Sequence, residues 1–368
     1  MIKICSPQLG ISPFSLLGGE VYDYQTLKGF TKKGIEVFVY LPKGKQFDRK
    51  LKSFHITYST FSHIFPQIIY SFICLPYLFK LYKKERFDIL RIHSPRFLGF
   101  AGIIFHSFYP NVPILSSAVT VDDSRVYFLL EKWVFLHSKA IIVQSEYMKK
   151  RLIKRFAIPQ SKIKITLGGQ LEGKKSWIKK PKEAQQLNDQ IILFYMGSLT
   201  KRKNPLFLID LFKLCKDKLN NLKLVVIGSG NLEAEFKKRL MKNNLEKDVI
   251  MIKSAFGMEK NYWLSRMDVF VFPSLDEGFG LAVTEAMSFG KPVVASDRAA
   301  FKEIITNQKD GFTLPLNDQK KWVKVITKLI KNPVYKNKIG KLAKIKIKSK
   351  FNWQKTYNLN KKVIEEMI

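Results

Sequence analysis

Acidic residues and cysteines are both scarce in this chain, and each scarcity removes a class of explanation. Of 368 residues only 30 are Asp or Glu, against 64 Lys and Arg, leaving a formal charge of +34. Such a surface is drawn to anionic partners, nucleic acid or acidic lipid. The excess is not a detachable basic tail, because residues 1–170 carry 25 basic and 10 acidic side chains and the remainder carries 39 and 20. Two readings of the charge stand: a Lys-rich composition on solvated faces, or attraction to a membrane surface. Cys5, Cys74 and Cys215 are odd in number, far apart and outside any C-x-x-C or zinc-like spacing, which excludes a disulfide framework and favours a reducing compartment. Met1 to Cys5 runs directly into a strand-like segment, without the basic start, apolar stretch and cleavage site of a secretory leader. A cytoplasmic location is expected. The chain also lacks a clean membrane span. Its nearest approach, Ile64 to Tyr82, contains Pro66, Gln67, Pro76 and Lys80, which a lone spanning helix of about 20 residues tolerates poorly. A buried or interfacial helix is expected there. Finally there is no Asp-x-Asp pair, so a metal-chelating route to diphosphate neutralisation has no obvious ligands.

What is present is a regular alternation. Short Val- and Ile-rich runs occur at 35–41, 89–93, 114–121, 140–144, 191–196, 222–227, 249–252, 269–273 and 292–295, with helical stretches between them. Strand alternating with helix predicts parallel sheets covered on both faces. The length suits two domains of roughly 170 to 190 residues. The pattern stops between Gln170 and Gln190, where a polar, Lys-rich stretch containing Gly173-Lys174-Lys175 and Lys179-Lys180-Pro181-Lys182 intervenes. This places an N-terminal domain at 1–170, a linker at 171–189 and a second Rossmann-like domain at 190–352. From about Trp322 the chain is helical in period, with a break at Asn332-Pro333.

The most informative stretch runs from Phe272 through Pro273-Ser274-Leu275-Asp276-Glu277-Gly278-Phe279-Gly280-Leu281 to Glu285 and Gly290. A buried strand ends at Pro273, a Gly-containing loop follows, and a helix starting near Leu281 stops at Gly290, a residue suited to the left-handed position past a helix end. At the C-terminal edge of a parallel sheet, free amides and the positive helix end favour a phosphate, and Gly278 and Gly280 let a ligand approach the main chain. Glu277 lies in the loop and Glu285 more than a turn into the helix, so the two carboxylates can grip different hydroxyl pairs of a sugar or ribose. The alternative for the pair is a carboxylate complementing the helix dipole plus a solvent-facing Glu. Upstream, Tyr195-Met196-Gly197-Ser198-Leu199-Thr200-Lys201-Arg202-Lys203-Asn204 reads as a strand, a Gly turn and a basic cluster, an arrangement suited to a diphosphate.

The Glu-x7-Glu pair within Pro273 to Asp297, continued by Glu303-Ile304-Ile305 and Asp310-Gly311-Phe312, resembles the signature of the glycosyltransferase family 4 enzymes. The resemblance implies a GT-B fold, two Rossmann-like domains with parallel sheets facing across a deep cleft, and a retaining, metal-independent transfer from a nucleoside diphosphate sugar. It assigns the leaving diphosphate to Lys203 and Arg202, ribose to Glu285, and the sugar to Glu277 with the amides of Gly278, Phe279, Gly280 and Leu281. Gly197 and Ser198 fall on the family's first phosphate turn, where relatives often have Arg at the Ser198 position and Gly at the Asn204 position. Val225-Val226-Ile227-Gly228-Ser229-Gly230 resembles its second Gly loop, which approaches the nucleotide through Gly228 and Gly230. A dinucleotide fingerprint would need a third Gly where this chain has Glu233.

In the N-terminal half, Gly18-Gly19 resembles the family loop near the donor phosphates, although a plain tight turn is equally compatible. Asp88 to Ser94 is similar to a family strand that ends in a cleft histidine, here His93. Many relatives have a second His after the next strand, where this chain reads Thr120-Val121-Asp122-Asp123. Ile141 to Tyr147 and Phe351-Asn352-Trp353 match further positions, and a last helix, about 353–368, is expected to cross back to the N-terminal domain. The expected partners are a nucleotide-sugar donor, a glycan or lipid-linked acceptor as in polysaccharide or lipopolysaccharide synthesis, and an anionic membrane face. No cofactor and no nucleic acid are expected. A basic nucleic-acid binder would leave two carboxylates repelling phosphate and has no groove-reading motif. An epimerase or phosphorylase on the same fold is the nearest enzymatic alternative.

Overall fold

The computed structural model describes residues 1–13, 15, 18–43, 53–62, 67–119, 121, 126–170, 178–185, 187 and 189–368. The chain divides into two compact units, Met1–Gly169 with Trp353–Ile368, and Gln170–Asn352.

The first unit runs β1 (Lys3–Pro7), α1 (Gly18–Lys32), β2 (Glu36–Lys43), β3 (Phe54–Ser62), α2 (Ile69–Glu85), β4 (Ile89–Ile92), α3 (Pro95–Phe108), β5 (Ile114–Ala118), α4 (Phe128–His137), β6 (Ser138–Val143), α5 (Glu146–Phe156) and β7 (Ile163–Ile165). The sheet order is β3-β2-β1-β4-β5-β6-β7, and every pairing is parallel. Because both faces are covered, adjacent strand residues feed different cores. Ile4 joins Leu27, Phe30, Val37 and Val39 on one face, while Cys5 joins Cys74, Leu78, Phe87 and Phe105 on the other. All three cysteines are buried and free.

The second unit runs β8 (Ile191–Met196), α6 (Phe207–Lys216), β9 (Leu222–Ile227), α7 (Glu233–Lys242), β10 (Val249–Ile252), α8 (Gly257–Arg266), β11 (Val269–Phe272), α9 (Leu281–Ser288), β12 (Val293–Ser296), α10 (Phe301–Ile304), β13 (Phe312–Leu314), α11 (Gln319–Lys331) and α12 (Pro333–Lys350). Its order, β10-β9-β8-β11-β12-β13, is again all parallel. The break read at Asn332-Pro333 is a tight junction. Asn332 accepts a hydrogen bond from the Tyr335 amide at 2.9 Å, and Pro333 opens α12 where its missing N–H costs nothing.

The last helix, α13 (Trp353–Glu365), belongs to the first unit. Val363, Ile364 and Met367 complete the core of Ile4 and Leu27, each contributing about 1.5–3 kcal/mol by burial. The helix fits because position 29 is glycine: a Cβ there would lie 2.1 Å from the Tyr357 ring.

Three strands escape the apolar-run reading, β3, β7 and β13, and each is a sheet edge. β3 alternates apolar Phe54, Ile56 and Tyr58 with polar residues, and β7 and β13 are three residues long. The segment expected to be a buried or interfacial helix forms α2, with Pro76 inside it and Ile69 and Phe72 exposed. Residues 64–66 lie outside the described residues, as do 171–177, 186 and 188 of the expected linker. No helix among the described residues is long and apolar enough to cross a membrane.

Candidate functional site

In each sheet the strand order reverses between the first strand and the fourth, β1 and β4 in one unit and β8 and β11 in the other. Open parallel sheets bind ligands at such reversals, outside the carboxyl ends of the strands. The residues singled out from the sequence stand at these two places.

In the second unit Gly197 follows the end of β8, and the chain turns through Lys201–Lys203 as a short 3-10 helix. Asn204 then adopts φ 53°, the left-handed conformation. Asn tolerates this conformation better than most side chains. Its side chain donates to the Pro273 carbonyl at 3.3 Å, tying the turn to the loop after β11. That loop is tied further by Leu275 N–H to the Arg202 carbonyl at 2.8 Å. The buried Ser274 hydroxyl lies 3.1 Å from the same carbonyl, 3.2 Å from the Asp276 carbonyl and 3.3 Å from Glu277 Oε1.

Lys203, Arg202 and Glu277 thereby converge. The Lys203 ammonium contacts Glu277 Oε1 directly, and Arg202 Nη1 donates to the Asp276 carbonyl at 2.9 Å and lies 3.6 Å from Glu277 Oε2. Two cations around one carboxylate leave the turn net positive. Burial pushes the Lys203 ammonium well below the ordinary lysine range and the nearby Arg202 guanidinium adds to this, while Asp276 opposes them. Contact with Glu277 likewise favours the charged form. Lys203 also lies over the Phe272 ring at 5.2 Å.

Glu285 has a separate partner. On α9, its Oε1 is 2.7 Å from the ammonium of Lys260 on α8. In so Lys-rich a chain nothing in the sequence marks Lys260; only the fold brings α8 against Glu285.

The loop between the carboxylates is shaped for main-chain contact. Phe279 is 3% exposed and packs edge-on against Phe351 at 5.7 Å, so its side chain is committed to the core. Gly280 precedes α9 at φ 94°, and no side chain caps the helix. Helix geometry leaves the first-turn N–H groups, from Leu281 onward, without intrahelical acceptors. Gly228 and Gly230 serve a packing role as well: at Gly228, with φ 150°, a Cβ would fall 1.9 Å from the Gly197 carbonyl oxygen. The two loops are hydrogen-bonded through Leu199 N–H to the Ser229 carbonyl at 2.9 Å. Ser198 accepts the Tyr195 hydroxyl at its carbonyl, 3.0 Å away.

In the first unit Gly18 and Gly19 form the opening turn of α1 rather than a loop before it, and a Cβ on Gly19 would meet only open space. One turn later the same helix presents Asp23, fully buried. His93, at the end of β4, places Nδ1 2.8 Å from Asp23 Oδ1. Arg91, also fully buried, grips the same carboxylate with both Nη atoms and donates to Ser117 Oγ at 3.0 Å and Ser6 Oγ at 3.2 Å. Burial pushes the Asp23 carboxyl up, but Arg91 and His93 outweigh it and hold the group below the usual carboxylate range. Asp23 and Arg91 were missed from the sequence. The signal available was a charge inside Ile89-Leu90-Arg91-Ile92, since an arginine in a strand buried on both faces requires a partner. Asp122, at the position of the second cleft histidine, lies outside the described residues. Among the described residues no group of three or more His, Cys, Asp or Glu could hold a metal ion.

Residues 150–346 match the family described as glycosyl transferases group 1, and residues 17–169 match glycosyltransferase family 4. The chain is 28% identical over 347 residues to the capsular polysaccharide biosynthesis glycosyltransferase CapM of Staphylococcus aureus, covering 88% of each chain. It is 27% identical over 310 residues to the UDP-Gal:alpha-D-GlcNAc-diphosphoundecaprenol alpha-1,3-galactosyltransferase of Escherichia coli, covering 79% of this chain and 78% of that one. Among solved structures, HepE of Anabaena in complex with UDP-glucose superposes with a TM-score of 0.80 at 15% identity, covering 100% of both chains. With two parallel α/β sheets of the GT-B type and a family match over more than half its length, this chain belongs to the group 1 glycosyl transferases and is a glycosyltransferase.

Proposed function

We propose that the protein transfers a sugar from a nucleoside diphosphate sugar to a glycan or lipid-linked acceptor, with retention of configuration and without a metal ion, in the assembly of a cell-surface polysaccharide or lipopolysaccharide. The observation that carries this reading is the convergence of Lys203 and Arg202 beside Glu277 at the switch point of the second sheet. A diphosphate leaving group gains negative charge as the glycosidic bond breaks, and two cations beside free amides offset that charge without a metal. Glu285 on α9 receives the ribose diol and Glu277 the sugar, which makes the second unit the donor side and the first the acceptor side. The names of similar proteins support the donor and acceptor classes: the Escherichia coli relative uses UDP-Gal and a diphosphoundecaprenol-linked sugar, and HepE was solved with UDP-glucose.

Attachment to the inner face of an anionic membrane belongs to the same reading. The exposed Ile69 and Phe72 of α2 lie on the helix that ends in exposed Lys80, Lys83, Lys84 and Arg86, a pairing of apolar and basic groups suited to an acidic lipid surface. Liposome flotation is expected to show salt-sensitive binding to anionic vesicles; no binding at low salt removes this part.

The direct test is nucleotide release from a panel of UDP, GDP and ADP sugars with metal chelated, followed by NMR of the product's anomeric coupling. Release from one class and retained configuration are expected. If no sugar nucleotide binds and none is consumed, the reading fails.

A further inference from the structure

The environment of His93 specifies more than its presence. Asp23 Oδ1 lies 2.8 Å from His93 Nδ1, and a carboxylate can only accept hydrogen bonds. A bare Nδ1 would set lone pair against lone pair at 2.8 Å, too close for a water to lie between them. A protonated Asp23 donating to Nδ1 does not fit either, because Arg91 holds both carboxylate oxygens with Nη1 and Nη2 and a guanidinium has only N–H groups to offer. Arg91 Nη2 is 3.4 Å from His93 Nδ1, but its hydrogens are engaged by Asp23 and by Ser117 Oγ at 3.0 Å. Nδ1 therefore carries the proton. In the neutral ring Nε2 is then a bare acceptor, and among the described residues it has no hydrogen-bond partner.

We infer that Asp23 is a positioning residue for glycosyl transfer: it locks His93 as the Nδ1–H tautomer so that Nε2 accepts a hydrogen bond from a sugar hydroxyl. This rests on the reading of the protein as a sugar-nucleotide transferase, and it refines His93's part in it. A bare Nε2 repels phosphate oxygens, so the group it meets is a hydroxyl and not the diphosphate. Arg91 supports the arrangement from below: anchored by Ser6 and Ser117 on β1 and β5, it fixes the carboxylate that fixes the ring. The buried Asp23–Arg91 pair thus does more than satisfy two charges.

The test is 15N NMR of histidine-labelled protein, with His93→Gln used to assign the His93 signals at a pH where the ring is neutral. The wild type is expected to show a protonated-type Nδ1 and an unprotonated-type Nε2. Asp23→Ala with Arg91→Met removes both buried charges together, so that neither is left unpaired. In that variant the ring is expected to go over to the Nε2–H form, with kcat lower by about tenfold or more and donor KM within about twofold. An Nε2–H ring in the wild type overturns the inference, and so does a double variant with wild-type kcat. Should the double variant not fold, the wild-type spectrum decides alone. Wild-type nucleotide release is a separate readout, so a failure of the transferase reading cannot be confused with a failure of this one.

Discussion

Replacing Lys203 by Ala tests whether the basic turn acts on the departing diphosphate or merely holds the loop. The leaving group gains roughly one negative charge, and a unit charge about 4 Å away at an effective dielectric of ~20 is worth about 4 kcal/mol. A fall in kcat of about 10²- to 10³-fold is therefore expected, the range seen when one preorganised donor is removed. Stability should change little. Glu277 keeps Arg202 at 3.6 Å and the Ser274 hydroxyl at 3.3 Å, and the substitution also removes a buried ammonium that burial disfavours. A change in Tm of no more than about 4 °C, ~1 kcal/mol for a unit of this size, is expected. Steady-state nucleotide release with saturating donor separates the cases. Unchanged kcat with raised donor KM would mean that Lys203 binds ground and transition states equally, and the leaving-group argument would be wrong. The pH profile is a further check. Charged Lys203 is the active form, so activity falls as pH rises through its lowered pKa. Arg202 is one cause of that lowering, so Arg202→Gln is expected to move the alkaline limb of kcat/KM to higher pH.

Other substitutions follow from the same geometry. Glu285→Gln should raise donor KM with little change in kcat. Lys260→Met, which frees the carboxylate held at 2.7 Å, should alter affinity for ribonucleotides more than for 2′-deoxyribonucleotides, as calorimetry can measure. Gly29→Ala drives a Cβ into the Tyr357 ring at 2.1 Å and should lower stability by about 1–3 kcal/mol, with limited proteolysis at the C-terminal helix; an unchanged Tm would contradict the packing of α13. Asp23 contributes stability fully above the unfolded carboxylate pKa of about 4 and loses it as pH falls toward its lowered native value. The acid limb of thermal stability should therefore flatten in the Asp23→Ala, Arg91→Met variant.

The central strands were legible because a parallel strand buried on both faces must be apolar at successive positions, as in 224–227 of β9 and in Val269–Phe272. The edges were not. β3 alternates, and in β7 and β13 three residues carry too little pattern to stand out. The loop after β11 was legible from Glu277, Gly278, Gly280 and Glu285 because loop chemistry is local. The ion pairs were less so: Lys203 meets Glu277 across 74 positions and, in the first unit, Arg91 meets Asp23 across 68, and no local period links residues so far apart. Asn204 stands where the family often has glycine, and its φ of 53° is a left-handed conformation that asparagine tolerates.

The two sheets share a strand order around their first and fourth strands, yet their switch points are furnished differently. At β8 and β11 the charges lie in loops beyond the strand ends, and Arg202, 42% exposed on its side chain, can exchange its contacts for a charged ligand at small desolvation cost. At β1 and β4 the charges are buried: Arg91 is a strand residue with no exposure, and its partner Asp23, on α1, has none either. A buried pair of this kind cannot exchange partners without leaving one charge unpaired, which costs several kcal/mol. The first arrangement suits a group that binds and departs once per turnover, and the second suits a group that must not move while it does so. The same topology therefore supports a mobile contact in one unit and a fixed one in the other, and the difference is set by whether the charge stands inside the strand or past its end.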